Sequence, residues 1–288
     1  MKRFSKKILA AVFAIYFGCL GYLYVEQRSL LYFPDKDVLG LQGSNLGDTK
    51  EVFITTVDNV KIQTWYHPPQ PGKPMVLYYH GNSYNLEQRR AKFRELIDMG
   101  FGLIVPAWRG FGASEGSPTK EGIYNDARAA IAFLKSNGYN TSDTIVIGES
   151  LGSGVAVQMA TEEEFRGLLL ITPYTSISDR AQEIHWYMPV RALIKDNFSS
   201  IDKIHAIKAP ILIVHGDQDD VIPHKHAEKL YRAINAKKEI IIYPGKAHNN
   251  LDNNEVFKEM KRFFQVSEID EGRFAQDESS PETSLAVR

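Results

Sequence analysis

The chain has 288 residues, 43% of them apolar and 24% charged, with a formal net charge of -1. That composition buries one sizeable core and excludes a disordered protein, and without a basic excess to neutralise phosphates nucleic acid is excluded as an obvious partner. The single cysteine, Cys19, excludes an internal disulfide framework but leaves the redox compartment open.

Residues 8–25 carry no charge, follow Lys2, Arg3, Lys6 and Lys7, and precede Glu26 and Arg28. A run of this length can span a hydrocarbon core. Tyr16, Tyr22 and Tyr24 suit interfacial positions, and the basic N-terminal side predicts that end in the cytoplasm, with the rest of the chain on the far side. Two alternatives are a cleaved signal peptide, although no small-x-small site follows the run, and a lipoprotein signal ending at Cys19, although Tyr16 stands where an aliphatic residue is usual. The apolar patch 29–34 that follows is expected to pack under the sheet and not to lie on a bilayer.

Residues 51–56 and 60–66 alternate and flank Asp58-Asn59, which reads as an antiparallel hairpin. Continuous apolar strands at 75–79, 102–106, 144–147, 168–172, 211–215 and 239–243 then alternate with amphipathic helices at 86–99, 120–137, 153–161, 225–234 and 254–264. This alternation predicts a mainly parallel sheet of eight strands with helices on both faces. Residues 174–209 interrupt it with Trp186, Tyr187, Met188, Pro189 and Phe198, a composition suited to a short helical cap over the carboxyl ends of the strands. The expected organisation is a membrane anchor over 1–28, a catalytic domain over 29–266, and an acidic, Ser-rich tail over 267–288 expected to be disordered.

Gly148-Glu149-Ser150-Leu151-Gly152 lies between an apolar strand and a small-residue helix. A strand that turns at once into a helix forces its pivot into strained geometry and lifts the pivot's side chain above the sheet, which makes Ser150 the candidate nucleophile. A serine hydroxyl needs a base within hydrogen-bond reach, itself oriented by a carboxylate. The turn after 211–215 offers Asp217, Asp219 and Asp220, and the loop after 239–243 offers His248, so the order is serine, acid, histidine. Asp217 follows its strand so closely that it is expected to close the turn onto backbone amides, and Asp220 to face solvent or cap the next helix. The backbone amide of Leu151, just past the nucleophile at a helix start, is one expected oxyanion donor.

With these residues in that order the chain resembles the α/β-hydrolase superfamily, and within it a membrane-anchored serine hydrolase branch related to acyl-protein thioesterases and carboxylesterases. The resemblance covers about residues 30–264 and rests on Tyr78-Tyr79-His80-Gly81-Asn82, Trp108-Arg109-Gly110-Phe111-Gly112-Ala113-Ser114, the pentapeptide, the Asp-rich turn and Gly245-Lys246-Ala247-His248. It implies the α/β-hydrolase fold, Asp219 as the acid, His248 as the base, and the Asn82 amide as second oxyanion donor with Ser83 as close competitor. His80 and the 109–114 segment are read as structural. No cofactor and no metal are expected: His67, His185 and His205 are isolated, and His224 and His226 point to different sides.

The expected activity is hydrolysis of an ester or thioester, with an amidase or peptidase, a haloperoxidase-like or C–C hydrolase, and a catalytically inactive membrane-tethered binding protein as rival readings. The expected partners are the membrane and a small-molecule or lipid-like acyl substrate, with an acylated protein as a further possibility. The oligomeric state is left open.

Overall fold

A computed structural model of the chain describes residues 2–37, 40–41 and 45–266, with side chains from residue 6 onward. The tail expected to be disordered lies outside these described residues.

The first element, α1 (Lys2–Leu31), is one continuous helix, and its 6–31 stretch is long and apolar enough to cross a membrane. Strands β1 (Lys50–Thr55) and β2 (Lys61–His67) form the hairpin that alternation predicts, and Asn59 takes φ 60° at the turn, a left-handed geometry that asparagine tolerates. After β3 (Met75–Tyr79) come a 3-10 turn, Glu87–Arg89, and α2 (Arg90–Asp98), where the sequence had suggested one longer helix. The series continues with β4 (Gly102–Pro106), α3 (Lys120–Ser136), β5 (Ile145–Glu149), α4 (Leu151–Glu162) and β6 (Gly167–Ile171). The cap segment holds α5 (Ile177–Ile184) and α6 (Val190–Leu193), and the chain then closes with β7 (Ile211–Gly216), α7 (Lys225–Ala233), β8 (Lys238–Tyr243) and α8 (Asn253–Phe263).

The eight strands of the main sheet lie in the order β1-β2-β4-β3-β5-β6-β7-β8, and the short segments Phe33–Pro34 and Ser83–Tyr84 pair separately, in parallel. β1 and β2 are antiparallel to their neighbours, while β3 through β8 pair with one another in parallel. Every residue of β3, β4, β6 and β7 is buried, which requires cover on both faces. Helices α2 and α8 pack together, as do α3 and α4. This is the α/β-hydrolase fold, as the alternation and the resemblance implied.

The patch 29–34 does not pack under the sheet. α1 runs through Leu31, and beyond it the Phe33 amide donates to the Asn82 carbonyl (2.8 Å), so the segment crosses above the carboxyl ends of the strands. Tyr32 is buried there, while Leu30 and Phe33 stay exposed. The reason is the cap, which holds the second half of α1. Arg28 pairs with Asp196 (2.8 Å), Gln27 donates to the Leu193 carbonyl (3.3 Å), and Tyr16 donates to the Tyr187 carbonyl (3.2 Å). A boundary at residue 28 therefore falls inside a helix.

His80 follows β3 and is fully buried against Trp108, with ring centroids 5.1 Å apart. Its Nδ1 donates to the Gly81 carbonyl (2.7 Å) and its Nε2 accepts from the Trp108 amide (3.2 Å), an arrangement that only a neutral ring satisfies. Burial, aided by the Arg89 charge, pushes its pKa down to about 3. Unfolded His80 takes up a proton near pH 6.5, so between these values the unfolded state binds more protons and stability falls as the pH drops. At pH 5 this amounts to about 2 kcal/mol. Thermal midpoints measured from pH 7 to pH 4 should fall less steeply for His80→Gln than for the wild type. Parallel slopes would show that the ring is not held neutral.

Candidate active site

Ser150 joins β5 to α4 with φ 50° and ψ -117°, one of the few non-glycine residues at positive φ among the described residues. The strain of such a conformation persists only where the surroundings fix it. Here the Ser150 amide donates to the Ile171 carbonyl (2.9 Å), and its carbonyl accepts from the Ser153 amide (2.9 Å) and Ser153 Oγ (2.6 Å). Gly152 is required because an added Cβ would stand 1.9 Å from the Tyr79 carbonyl oxygen. Ser150 occupies the position before α4 without capping it, so its hydroxyl is free for other work.

The structure brings Ser150, His248 and Asp219 into one hydrogen-bonded line. His248 Nδ1 lies 2.7 Å from Asp219 Oδ2 and its Nε2 lies 3.1 Å from Ser150 Oγ. With the ring proton on Nδ1 facing the carboxylate, Nε2 is the acceptor for the serine hydroxyl. Burial alone would push the Asp219 carboxyl up, but hydrogen bonds from His215, His248 and the Ile222 amide outweigh it and hold the group well below the ordinary carboxylate range. Asp219 is therefore an anion placed to orient an imidazole and to stabilise it when it gains a proton.

The other two carboxylates of the turn go elsewhere. Asp217 Oδ1 accepts from the Gly245 amide (2.7 Å), so it does bond a backbone amide, but in the loop that carries His248 and not in its own turn. Asp220 is exposed. On the opposite side of Ser150, Leu151 opens α4, and its amide belongs to the first turn, whose donors have no intrahelical acceptor. Asn82 lines the same cavity as Ser150 and Leu151; its side chain donates to the Leu31 carbonyl (2.7 Å) and its carbonyl accepts from Phe33.

Two neighbours of the site escaped the sequence reading. His215, fully buried at the end of β7, shares its Nε2 proton between the Ile222 carbonyl (2.7 Å) and Asp219 Oδ2 (3.0 Å). Its place before Gly216, at a strand's carboxyl end, was the available signal. Glu149, beside Ser150, pairs with Lys92 (2.5 Å) and Arg89 (3.1 Å) and accepts from the Tyr78 hydroxyl. Burial pushes its carboxyl up, but the two cations hold it well below the usual range. No local pattern joins residues so far apart in sequence. Arg109, read as structural, bonds the buried Asp126 (2.9 Å) and Asp58 (2.7 Å).

Above Ser150 opens a cavity of about 400 Å³, walled by the cap and by the last turns of α1, including Leu20, Leu23 and Tyr24. Its lining is mostly aliphatic and aromatic, and its size is that of a small-ligand site.

Comparison with known proteins agrees with this fold. Residues 112–262 match the model of the Dienelactone hydrolase family. The chain is similar to uncharacterized protein Rv2307c of Mycobacterium tuberculosis, 31% identical over 264 residues that cover 89% of this chain and 93% of the relative. It is also similar to the alpha/beta hydrolase domain-containing protein WAV2 of Arabidopsis thaliana, at 27% identity over 72% of this chain and 75% of that one. Among solved structures, the Pyrococcus furiosus esterase Pf2001 superposes with a TM-score of 0.64 at 20% identity, covering 81% of this chain and 97% of the esterase. The chain belongs to the dienelactone hydrolase family, and it is a hydrolase of the α/β-hydrolase fold.

Proposed function

We propose that the protein is a membrane-anchored serine hydrolase that cleaves a lipophilic ester or thioester through an acyl-enzyme on Ser150. The observation that carries the reading is His248, with Asp219 at 2.7 Å from one ring nitrogen and Ser150 Oγ at 3.1 Å from the other. His248 takes the serine proton as Oγ attacks the carbonyl carbon, and the amides of Leu151 and Asn82 receive the oxyanion. Collapse of the tetrahedral intermediate returns the proton to the leaving alcohol or thiol. Water then attacks the acyl-enzyme with His248 again as base, releasing the acid and free Ser150.

A mostly apolar cavity over the serine favours an apolar acyl group, and α1 supports a single-pass anchor with its basic end in the cytoplasm and the hydrolase beyond the far face. An S-acylated protein is a second substrate of the same chemistry.

Treatment with a fluorophosphonate should leave one adduct, on the peptide containing Ser150, when the digest is read by mass spectrometry. No adduct, or one elsewhere, overturns the assignment. Ser150→Ala should abolish both adduct and esterase activity at an unchanged thermal midpoint.

The three carboxylates of the turn separate by turnover and melting. Asp219→Asn keeps the shape but favours the wrong histidine tautomer, a change that costs on the order of 10⁴ in turnover in serine proteases. Asp217→Asn weakens the tie to the Gly245 amide and should cost about 1 kcal/mol of stability with a small loss of turnover. Asp220→Asn should be near neutral in both. A large turnover loss in Asp220→Asn, with Asp219→Asn active, would reassign the acid.

A further inference from the structure

α1 meets the cap at two depths. Near its carboxyl end Lys195 Nζ donates to the Tyr24 carbonyl (2.9 Å) and sits 4.2 Å from the centroid of the Tyr24 ring. Eight residues earlier, Tyr16 donates to the Tyr187 carbonyl. At 1.5 Å per residue the second contact lies about 12 Å further along the helix axis. Tyr16 is midway along the uncharged run 8–25, which is about 27 Å long and so nearly fills a hydrocarbon core of about 30 Å. A helix that spans the bilayer with this run therefore draws the tip of the cap in with it.

The tip is built for that surrounding. Ile184, Trp186 and Tyr187 are 52%, 80% and 52% exposed, an apolar and aromatic group at one end of the molecule. A soluble surface seldom leaves such an apolar group bare. Lys195, one step outward, stands at the depth where a cation meets the headgroups. The cavity over Ser150 runs inward from Asn82 and Ser150, past the level of Tyr24, to Leu23 and Leu20 of α1.

We infer that the cap tip is embedded in one leaflet and that α1 and the cap together form a lateral portal, through which the acyl chain of a membrane-dissolved long-chain ester passes to Ser150. The inference rests on the serine-hydrolase reading and adds to it the substrate class and the source: an amphiphile taken from the bilayer itself. Leu20 and Leu23 are then residues of the substrate path, and the helix is a specificity element as well as an anchor. The length of α1 from Leu20 to Leu30, about 15 Å, suits a long acyl chain far better than an acetyl group.

Depth is read by fluorescence. Of the three tryptophans, Trp65 and Trp108 are fully buried and Trp186 is exposed. The full-length protein in vesicles of brominated phosphatidylcholine should lose emission relative to unbrominated vesicles, and Trp186→Phe should abolish the difference. Absence of bromine quenching, or quenching that survives in Trp186→Phe, overturns the embedded cap. The same measurement on Ser150→Ala should give the wild-type result, so this arm separates failure of the portal from failure of the nucleophile.

The path is read by chain-length selectivity in phosphatidylcholine vesicles. Leu23→Trp should lower the ratio of kcat/KM for a p-nitrophenyl palmitate to that for the acetate by about ten-fold or more. Val12→Trp, on the same helix outside the cavity, should leave the ratio unchanged. An unchanged ratio in Leu23→Trp, or an equal fall in both variants, overturns the role of α1 in binding.

Discussion

The geometry of the site depends on one strained residue. Ser150 holds a positive φ because the strand before it and the helix after it are both clamped: β5 by pairing with β3 and β6, α4 by the approach of Gly152 to the Tyr79 carbonyl. Strain of this kind costs on the order of 1–3 kcal/mol, which the packed sheet supplies. In return the hydroxyl stands clear of the backbone, and the opening amides of α4 face the space where a reacting carbonyl would sit. Relaxing the turn would aim the side chain along the sheet, away from His248.

A second constraint holds His248 and Asp219 together. The Asp219 turn and the His248 loop leave adjacent parallel strands, β7 and β8, and three backbone contacts staple them. Asp217 accepts from the Gly245 amide, the Gln218 amide donates to the Lys246 carbonyl (2.9 Å), and Gly216 lies so close to Lys246 that an added Cβ would stand 2.1 Å from its oxygen. Asp219, with both oxygens engaged, has no freedom to rotate. His215 beneath it adds a further donor that a bare triad would lack. The orientation of the imidazole is thus set by two loops that are tied to each other.

The sheet was legible in the sequence because its strands are local apolar runs, and the order serine, aspartate, histidine followed from which loop each strand feeds. The choice of Asp219 over its neighbours needed the family resemblance, since three carboxylates in four positions carry no periodic signal. What stayed hidden was long-range. Arg28 and Asp196 lie 168 positions apart, and nothing in either neighbourhood announces their pairing. The patch 29–34 shows the same limit: its composition says that it should be covered, but the side of the sheet was decided by Tyr32, Phe33 and Asn82 meeting across the site. The ion cluster around Glu149 likewise joins two segments that share no pattern.

Asp196 ties α1 to the catalytic body. Its carboxylate accepts from Arg28 of α1 and from the Lys120 amide at the start of α3 (3.0 Å), so one side chain rivets α1 to the body of the hydrolase. A protein hung from a flexible linker sweeps a volume and can reach substrates on facing surfaces. Under the proposed anchoring this protein, riveted at the base, does neither: its attitude to the bilayer is fixed, and its encounters become a two-dimensional search in the plane of the leaflet that holds it. For such an enzyme the governing quantity is the surface density of substrate around the helix, a local concentration that dilution of the surrounding solution does not change.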